Sequence, residues 1–214
     1  MAHKLFPLSI HDQPDTGWQL GDPAGRRVFA KLMDAGRPLG EVVEGKMYRG
    51  ILTGFNEAFI VDQATRDRLV EENPKSAEII QPIVRGEDLR PWYQEDEGRW
   101  LILTRRGTDT EAFPAVKNHL NQFRERLEPK PRNWSGDKWP GRKPAPYKCY
   151  EIQDSVDYYL AFKQPKVFWP DIGNFPRFSW NTSGTHVNDK GFIAVPQDPY
   201  ASTSCSISRW TRSR

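Results

Sequence analysis

Hydrophobic positions in this chain come in short runs whose period changes from one run to the next. Val28, Phe29, Leu32 and Met33 share one side of a 3.6-residue repeat, with Arg26, Arg27 and Lys31 elsewhere. Asp22 suits an N-cap, Pro23 the first helical position and Gly36 the stop, so the pattern predicts a docking helix between them. Met47 to Asp62 starts strand-like, turns at Thr53-Gly54-Phe55-Asn56 and returns through Ala58-Phe59-Ile60-Val61, which predicts a hairpin with a polar tip. Asp62 can then cap a helix to about Glu72, broken by Asn73-Pro74, and a second short helix is expected over Ser76–Ile80, ending before Pro82. Val116, Leu120, Phe123 and Leu127 recur at spacings of four and three, predicting one helix over Phe113–Leu127 with Lys117, His119, Arg124 and Arg126 on its solvated faces.

Strand signals follow at Arg99–Thr104, Lys166–Trp169, Arg177–Trp180 and Gly191–Val195. Gly173-Asn174 and Asn181–Lys190 read as turns, and Glu151–Phe162 as a short helix or a helix-to-strand transition. The fold class is therefore α+β, mixed α/β, built of short elements. The 18 Pro and 16 Gly agree with many turns rather than a helical bundle. Mean hydropathy is low at -0.75, yet 8 Trp, 11 Phe and 7 Tyr supply the apolar bulk for a core. Only Cys149 and Cys205 are present, without metal-ligand spacing, which fits a reducing cytoplasmic setting and argues against a disulfide scaffold or a zinc site. The four His are scattered, no apolar run is long enough to span a bilayer, and Met1 to Asp15 has no apolar signal core, so neither a metal nor a membrane is expected as a partner.

The net charge of +3 permits nucleic-acid binding without demanding it, so its distribution matters more. Lys130 to Lys148 is the most biased stretch, carrying Lys130, Arg132, Lys138, Arg142, Lys143 and Lys148 against the single acid Asp137, with Trp134, Trp139 and Tyr147 interleaved. A loop of this length is uncommon without a function. Cations there would neutralise phosphates, and Arg or Asn side chains could read base edges. The plainer reading is a solvated loop whose Trp residues tuck back onto the domain.

Three blocks in order carry a resemblance. They are Tyr48 to Phe59, Asn73 to Leu89, and Phe113 to Leu127 followed by the basic Trp-rich stretch and Gln164-Pro165-Lys166-Val167-Phe168. Together they resemble the C-terminal specificity (target-recognition) domain of TaqI-like adenine-specific DNA methyltransferases and type IIG restriction–modification enzymes, over roughly Trp18 to Val195. The resemblance implies sequence-specific binding of double-stranded DNA in bacterial defence, beside a methyltransferase domain or subunit in cis or trans. It implies S-adenosylmethionine as the cofactor of that other domain and none in this chain. The residues expected to meet DNA are Thr53, Asn56, Arg85, Arg90, Arg105, Arg106, Lys130, Arg132, Trp134, Lys138, Arg142 and Lys143. The Asn/Asp-Pro-Pro-aromatic motif that holds a flipped adenine in that family has no counterpart, since Asp198-Pro199-Tyr200 lacks a second Pro. No glycine-rich strand-to-helix turn for the methyl donor is present either, so catalysis is not carried over to this chain.

Other chemistries find less support. Glu87 with Asp88, or Asp154 with Asp157, lacks the convergent spacing of a magnesium nuclease site. Cys149 has no evident His partner, and Ser183-Gly184 and Ser135-Gly136 are not nucleophile elbows. The alternatives to a DNA recognition module are a single-stranded nucleic-acid or RNA-binding protein and a protein-interaction domain. The expected organisation is a lead-in and connecting helix over residues 1–45, the recognition domain over 46–200, and an irregular basic tail over 201–214. That tail suggests a truncated or frameshifted fragment of a larger enzyme.

Overall fold

Local capping decides where several elements begin. The Asp62 carboxylate accepts the Thr65 N–H at 2.8 Å and opens α4, Gln63–Glu72. Pro114, which has no N–H to lose, opens α5, Pro114–Asn121. The computed structural model describes residues 22–197, so Trp18, Asp198-Pro199-Tyr200 and the Ser202–Arg214 tail lie outside the described residues. The chain divides into two compact units at Gly45/Lys46.

The first unit contains α1, Pro23–Ala35, and α2, Leu39–Val42. Asp22 stands at the N-cap of α1 but its side chain makes no capping bond; Pro23 starts the helix, and the Gly36 N–H closes it on Leu32 O at 3.0 Å. None of the α1 side chains is buried, so Val28, Phe29, Leu32 and Met33 form an exposed apolar face.

The second unit holds two four-stranded sheets. Its strands are β1 (Met47–Arg49), β2 (Ile60–Asp62), β3 (Ile80–Val84), β4 (Arg99–Ile102), β5 (Lys166–Pro170), β6 (Ser179–Asn181), β7 (His186–Val187) and β8 (Gly191–Ala194). Short helices α3 (Asn56–Phe59) and α6 (Arg124–Leu127) complete it. One sheet runs β1-β8-β5-β6, antiparallel throughout, with Tyr48 opposite Ile193 and Phe168 opposite both Ile193 and Ser179. The other runs β2-β4-β3-β7, antiparallel except for the parallel pair β3–β7. The architecture is α+β.

Four local expectations change. Met47–Asp62 is not a hairpin: β1 pairs with β8 and β2 with β4, in different sheets. The turn at Gly54 is real, with φ of +83°, but it hands the chain from one sheet to the other. Ser76–Ile80 is not a helix; a 3₁₀ turn over Pro74–Glu78 gives way to β3, which contains Pro82. Pairing of β3 with β7 starts only at Ile83, beyond that proline. The Phe113–Leu127 segment breaks at Gln122-Phe123 into α5 and α6, and His119 is buried rather than solvated, its Nε2 3.1 Å from Ala58 O. Burial holds the His119 pKa below its usual value. Finally, Asn181–Lys190 includes β7.

The core draws on both sheets and on α3 to α5, with Ile51, Phe59, Leu69, Leu89, Leu101, Ile102, Leu120, Phe162, Phe168 and Ile193 among its members. The segment from β7 to β8 ties the sheets together. Ile51 N–H donates to Val187 O at 2.8 Å, Asn188 N–H to Val84 O at 3.1 Å, and Gly86 N–H to the buried Asn188 Oδ1 at 3.0 Å. A Cβ on Gly86 would sit 2.0 Å from Lys190 O, so only glycine permits this approach. Within the core lie two basic side chains, Lys166 and His186, without a carboxylate partner among the described residues. Lys166 Nζ donates to Phe162 O at 2.6 Å and Asn181 Oδ1 at 2.8 Å, and His186 stacks on Phe162 at 4.6 Å. Burial lowers Lys166 to about 8; burial and the Lys166 charge lower His186 to about 3.

Candidate nucleic-acid interface

The basic loop is irregular in backbone but closed at its base. Lys130 N–H donates to Arg142 O at 3.0 Å, and Arg142 N–H to Glu128 O at 2.9 Å. Between these contacts the chain makes an excursion of about a dozen residues, the size of a surface loop packed by its own side chains. Trp139 supplies that packing, donating Nε1–H to Glu128 O at 3.0 Å and meeting Trp134 edge-on with ring centroids 4.9 Å apart. Trp139 is thereby half-buried, while Arg132, Trp134, Lys138 and Lys143 are exposed.

Arg142, expected among the DNA contacts, is instead the buried anchor of this loop. Its Nε donates to Leu127 O (2.7 Å), Nη1 to Thr53 O (3.1 Å) and Glu151 O (2.7 Å), and Nη2 to Lys148 O (3.2 Å) and Cys149 O (2.9 Å). Five N–H vectors fixed in one plane suit converging carbonyls, which a lysine ammonium could not all reach. The aromatic rings of Tyr147 and Phe59 lie against the guanidinium at 4.3 and 5.6 Å. Burial lowers the Arg142 pKa from its ordinary value.

One arm of Arg142 reaches the Thr53–Asn56 turn. Thr53 is buried; its Oγ1 accepts the Phe55 N–H at 3.2 Å and donates to Asn56 Oδ1 at 2.7 Å. Thr53 therefore aims Asn56, which is exposed at the start of α3, rather than facing a ligand itself. A Cβ on Gly54 would fall 2.9 Å from Arg142 Cδ and 2.7 Å from Gln153 Oε1, so turn and loop root are packed as one piece. Arg126 lies over the Phe55 ring at 4.8 Å and adds exposed positive charge from α6, whereas Arg124 is paired with Glu128 at 3.2 Å. Sequence reasoning had left both arginines as ordinary solvated helix positions.

Arg106 is also spent on structure. Its Nη1 and Nη2 donate to Ile152 O (2.5 Å) and Gln153 O (2.7 Å), and Tyr147 lies 5.2 Å away. Arg105 stacks 3.5 Å above Tyr159. The buried Glu151 was not foreseen: it accepts Gly107 N–H (3.0 Å) and Lys148 N–H (2.8 Å), and so pins the far end of the loop. Arg85 and Arg90 belong elsewhere, beyond β3, where each already has an acid. Arg85 meets Glu87 at 3.2 Å, and Arg90 holds both Glu95 oxygens at 3.1 and 2.6 Å. The twelve expected contacts thus do not form one surface. Asn56, Lys130, Arg132, Trp134, Lys138 and Lys143 share a framework with Thr53, Arg106 and Arg142 behind them, Arg105 is stacked on Tyr159, and Arg85 and Arg90 lie in a separate ion-paired turn.

Among the described residues, no group of three His, Cys, Asp or Glu side chains could hold a metal ion, and no helix is long and apolar enough to cross a membrane. No known protein-family profile matches the chain. Its backbone is similar to part of a solved structure of the Type IIL restriction-modification enzyme MmeI in complex with DNA, at a TM-score of 0.47 and 15% sequence identity. The similarity covers 72% of this chain and 19% of that one, so the chain spans about a fifth of its structural neighbour's length.

Proposed function

We propose that the unit beginning at Lys46 is a sequence-specific DNA recognition module of the TaqI-like type, working for an adenine-specific methyltransferase or a fused restriction–modification enzyme. One observation carries this reading: the exposed cations and Trp134 of the Lys130–Lys148 loop are rooted, through buried Arg142, in the same framework that presents Asn56. Lys and Arg on the loop would fix register on phosphates, while Asn56, whose amide type suits adenine edges, would read bases. Methyl transfer and S-adenosylmethionine would belong to a methyltransferase domain in cis or trans, because this sequence carries neither motif. The target adenine would be flipped into that domain while this unit holds the duplex.

Selection from a random duplex library at two salt concentrations, with sequencing of the bound fraction, tests the proposal. Enrichment of one short motif that survives the higher salt is the expected result, weakened by Asn56→Ala and by Trp134→Ala. Binding that collapses with salt and enriches nothing would defeat the recognition reading. A second reading, single-strand binding, is favoured by one feature: Trp134 is exposed between cations and could stack a base. Competition by single-stranded over duplex DNA in the same assay would select it.

A further inference from the structure

A second surface lies away from the basic loop, where the Arg90–Tyr93 turn meets the β5–β6 connection. Trp92 N–H donates to Phe178 O at 2.8 Å, and Trp92 bridges Ser179 at the edge of β6. Around this junction Trp92, Tyr93, Ile172, Phe175 and Phe178 are all exposed, by between 42% and 83%. Trp92 has φ of +81°, a conformation that costs a non-glycine residue on the order of 1–3 kcal/mol and persists where its surroundings enforce it. The β5–β6 loop is held in place rather than loose: Arg177 donates to Ile172 O at 3.3 Å and Leu89 O at 3.4 Å. Five large apolar side chains on two braced segments make a patch on the order of 500 Å², the size at which a surface marks an interaction site.

Nucleic acid fits this patch poorly. Glu95, Asp96 and Glu97 follow Tyr93, and Asp171 precedes Ile172. The nearby guanidiniums are already held, Arg85 by Glu87, Arg90 by Glu95 and Arg99 by Asp88 at 2.6 Å. Phosphates would meet carboxylates and find few free cations. A second copy of this chain fits better. Two such patches face to face would bury about 1,000 Å², the lower bound for a specific interface, with aromatic rings at its centre as association hot spots require. We infer that this patch is the face through which two copies of the chain associate.

Sedimentation of the full chain from about 1 to about 500 µM tests it, a range that reaches the weak association found at the small end of specific interfaces. The expected result is a rise to twice the monomer mass in wild type and a monomer throughout for the double variant Ile172→Asp/Phe175→Asp, with unchanged circular dichroism. Should that variant unfold, Tyr93→Asp, on the other segment, gives the same readout. A wild type that stays monomeric overturns the proposal, and so does a dimer that both variants leave intact.

Discussion

Arg142 offers the sharpest test of how this fold holds its candidate interface. Replacing it with methionine keeps much of the volume and removes all five N–H donors. Each lost bond from a charged donor is worth roughly 1.5–3 kcal/mol in isolation. The sum overstates the effect, because displaced carbonyls such as Lys148 O can turn toward water and the cost of burying a guanidinium disappears. Leu127 O, Thr53 O and Glu151 O, which all bond donors in the buried part of the group, have the least chance of finding water. Thr53 O keeps the Gln153 N–H at 3.0 Å, so two orphaned buried acceptors, Leu127 O and Glu151 O, set the expected loss at about 2–4 kcal/mol, a large share of a typical domain's stability. Urea unfolding followed by tryptophan fluorescence measures it, with an unchanged m-value as the check that the same transition is observed. Limited trypsin digestion supplies a second readout: cleavage after Arg132 and Lys138 should accelerate well before the rest of the unit opens. Arg142→Lys should recover less than half the loss, since an ammonium has three donors. A methionine variant within about 1 kcal/mol of wild type, with no faster cleavage, would refute the anchoring argument.

Four further outcomes are expected. Folded Lys166 gives up its proton near pH 8 whereas the unfolded chain keeps it to about 10.5, so the unfolded state binds more protons and stability rises with pH across that window; Lys166→Met should abolish this rise in urea midpoints taken at neutral and alkaline pH. His186 obeys the same sign between about 3 and 6.5, so stability falls as pH drops below 6.5, and the acid limb should flatten in His186→Phe; an unchanged limb would remove His186 as its cause. Gly54→Ala forces a Cβ into a positive-φ turn against Arg142 and Gln153, which should cost roughly 1–3 kcal/mol by the same unfolding assay, and a neutral result would mean the turn is free to move. Lys138→Ala/Lys143→Ala should leave stability unchanged and reduce the slope of log affinity against log salt for duplex DNA by about 2; an unaltered slope would place the phosphates elsewhere.

What could be read from the chain beforehand follows interaction range. Asp62 and Pro114 mark helix starts because a cap is settled within three residues, and both helices begin where those residues put them. Met47–Asp62 misled because its two strand-like ends look like mutual partners, while their true partners are β8 and β4, named by no local signal. The basic loop was visible as composition, but composition cannot separate Arg142 from Lys138 or Lys143. Only the convergence of carbonyls from Leu127, Thr53 and Glu151 on one guanidinium does that. His119 was misjudged for a related reason: it sits between buried Val116 and Leu120 on the helix, and the nearby Ala58 carbonyl that receives it comes from α3.

The strap from β7 to β8 also constrains how the chain can be made. Arg49 and Asp189 are hydrogen-bonded across 140 positions, and β1 has no strand partner other than β8 among the described residues. On a ribosome, β1 must therefore wait, unpaired, until Ala194 has cleared the exit tunnel, and until then β5 can pair only with β6. The sheet β2-β4-β3 and the pair β5–β6 can assemble earlier, leaving the β7 edge of one sheet and the β8 position of the other open during synthesis. Such late closure makes for slow folding and a nascent intermediate with exposed strand edges, the kind of species that chaperones and proteases compete for. Yield in cells should accordingly depend on how soon Gly191–Ala194 emerges to close the sheet, more than on the stability of the finished fold.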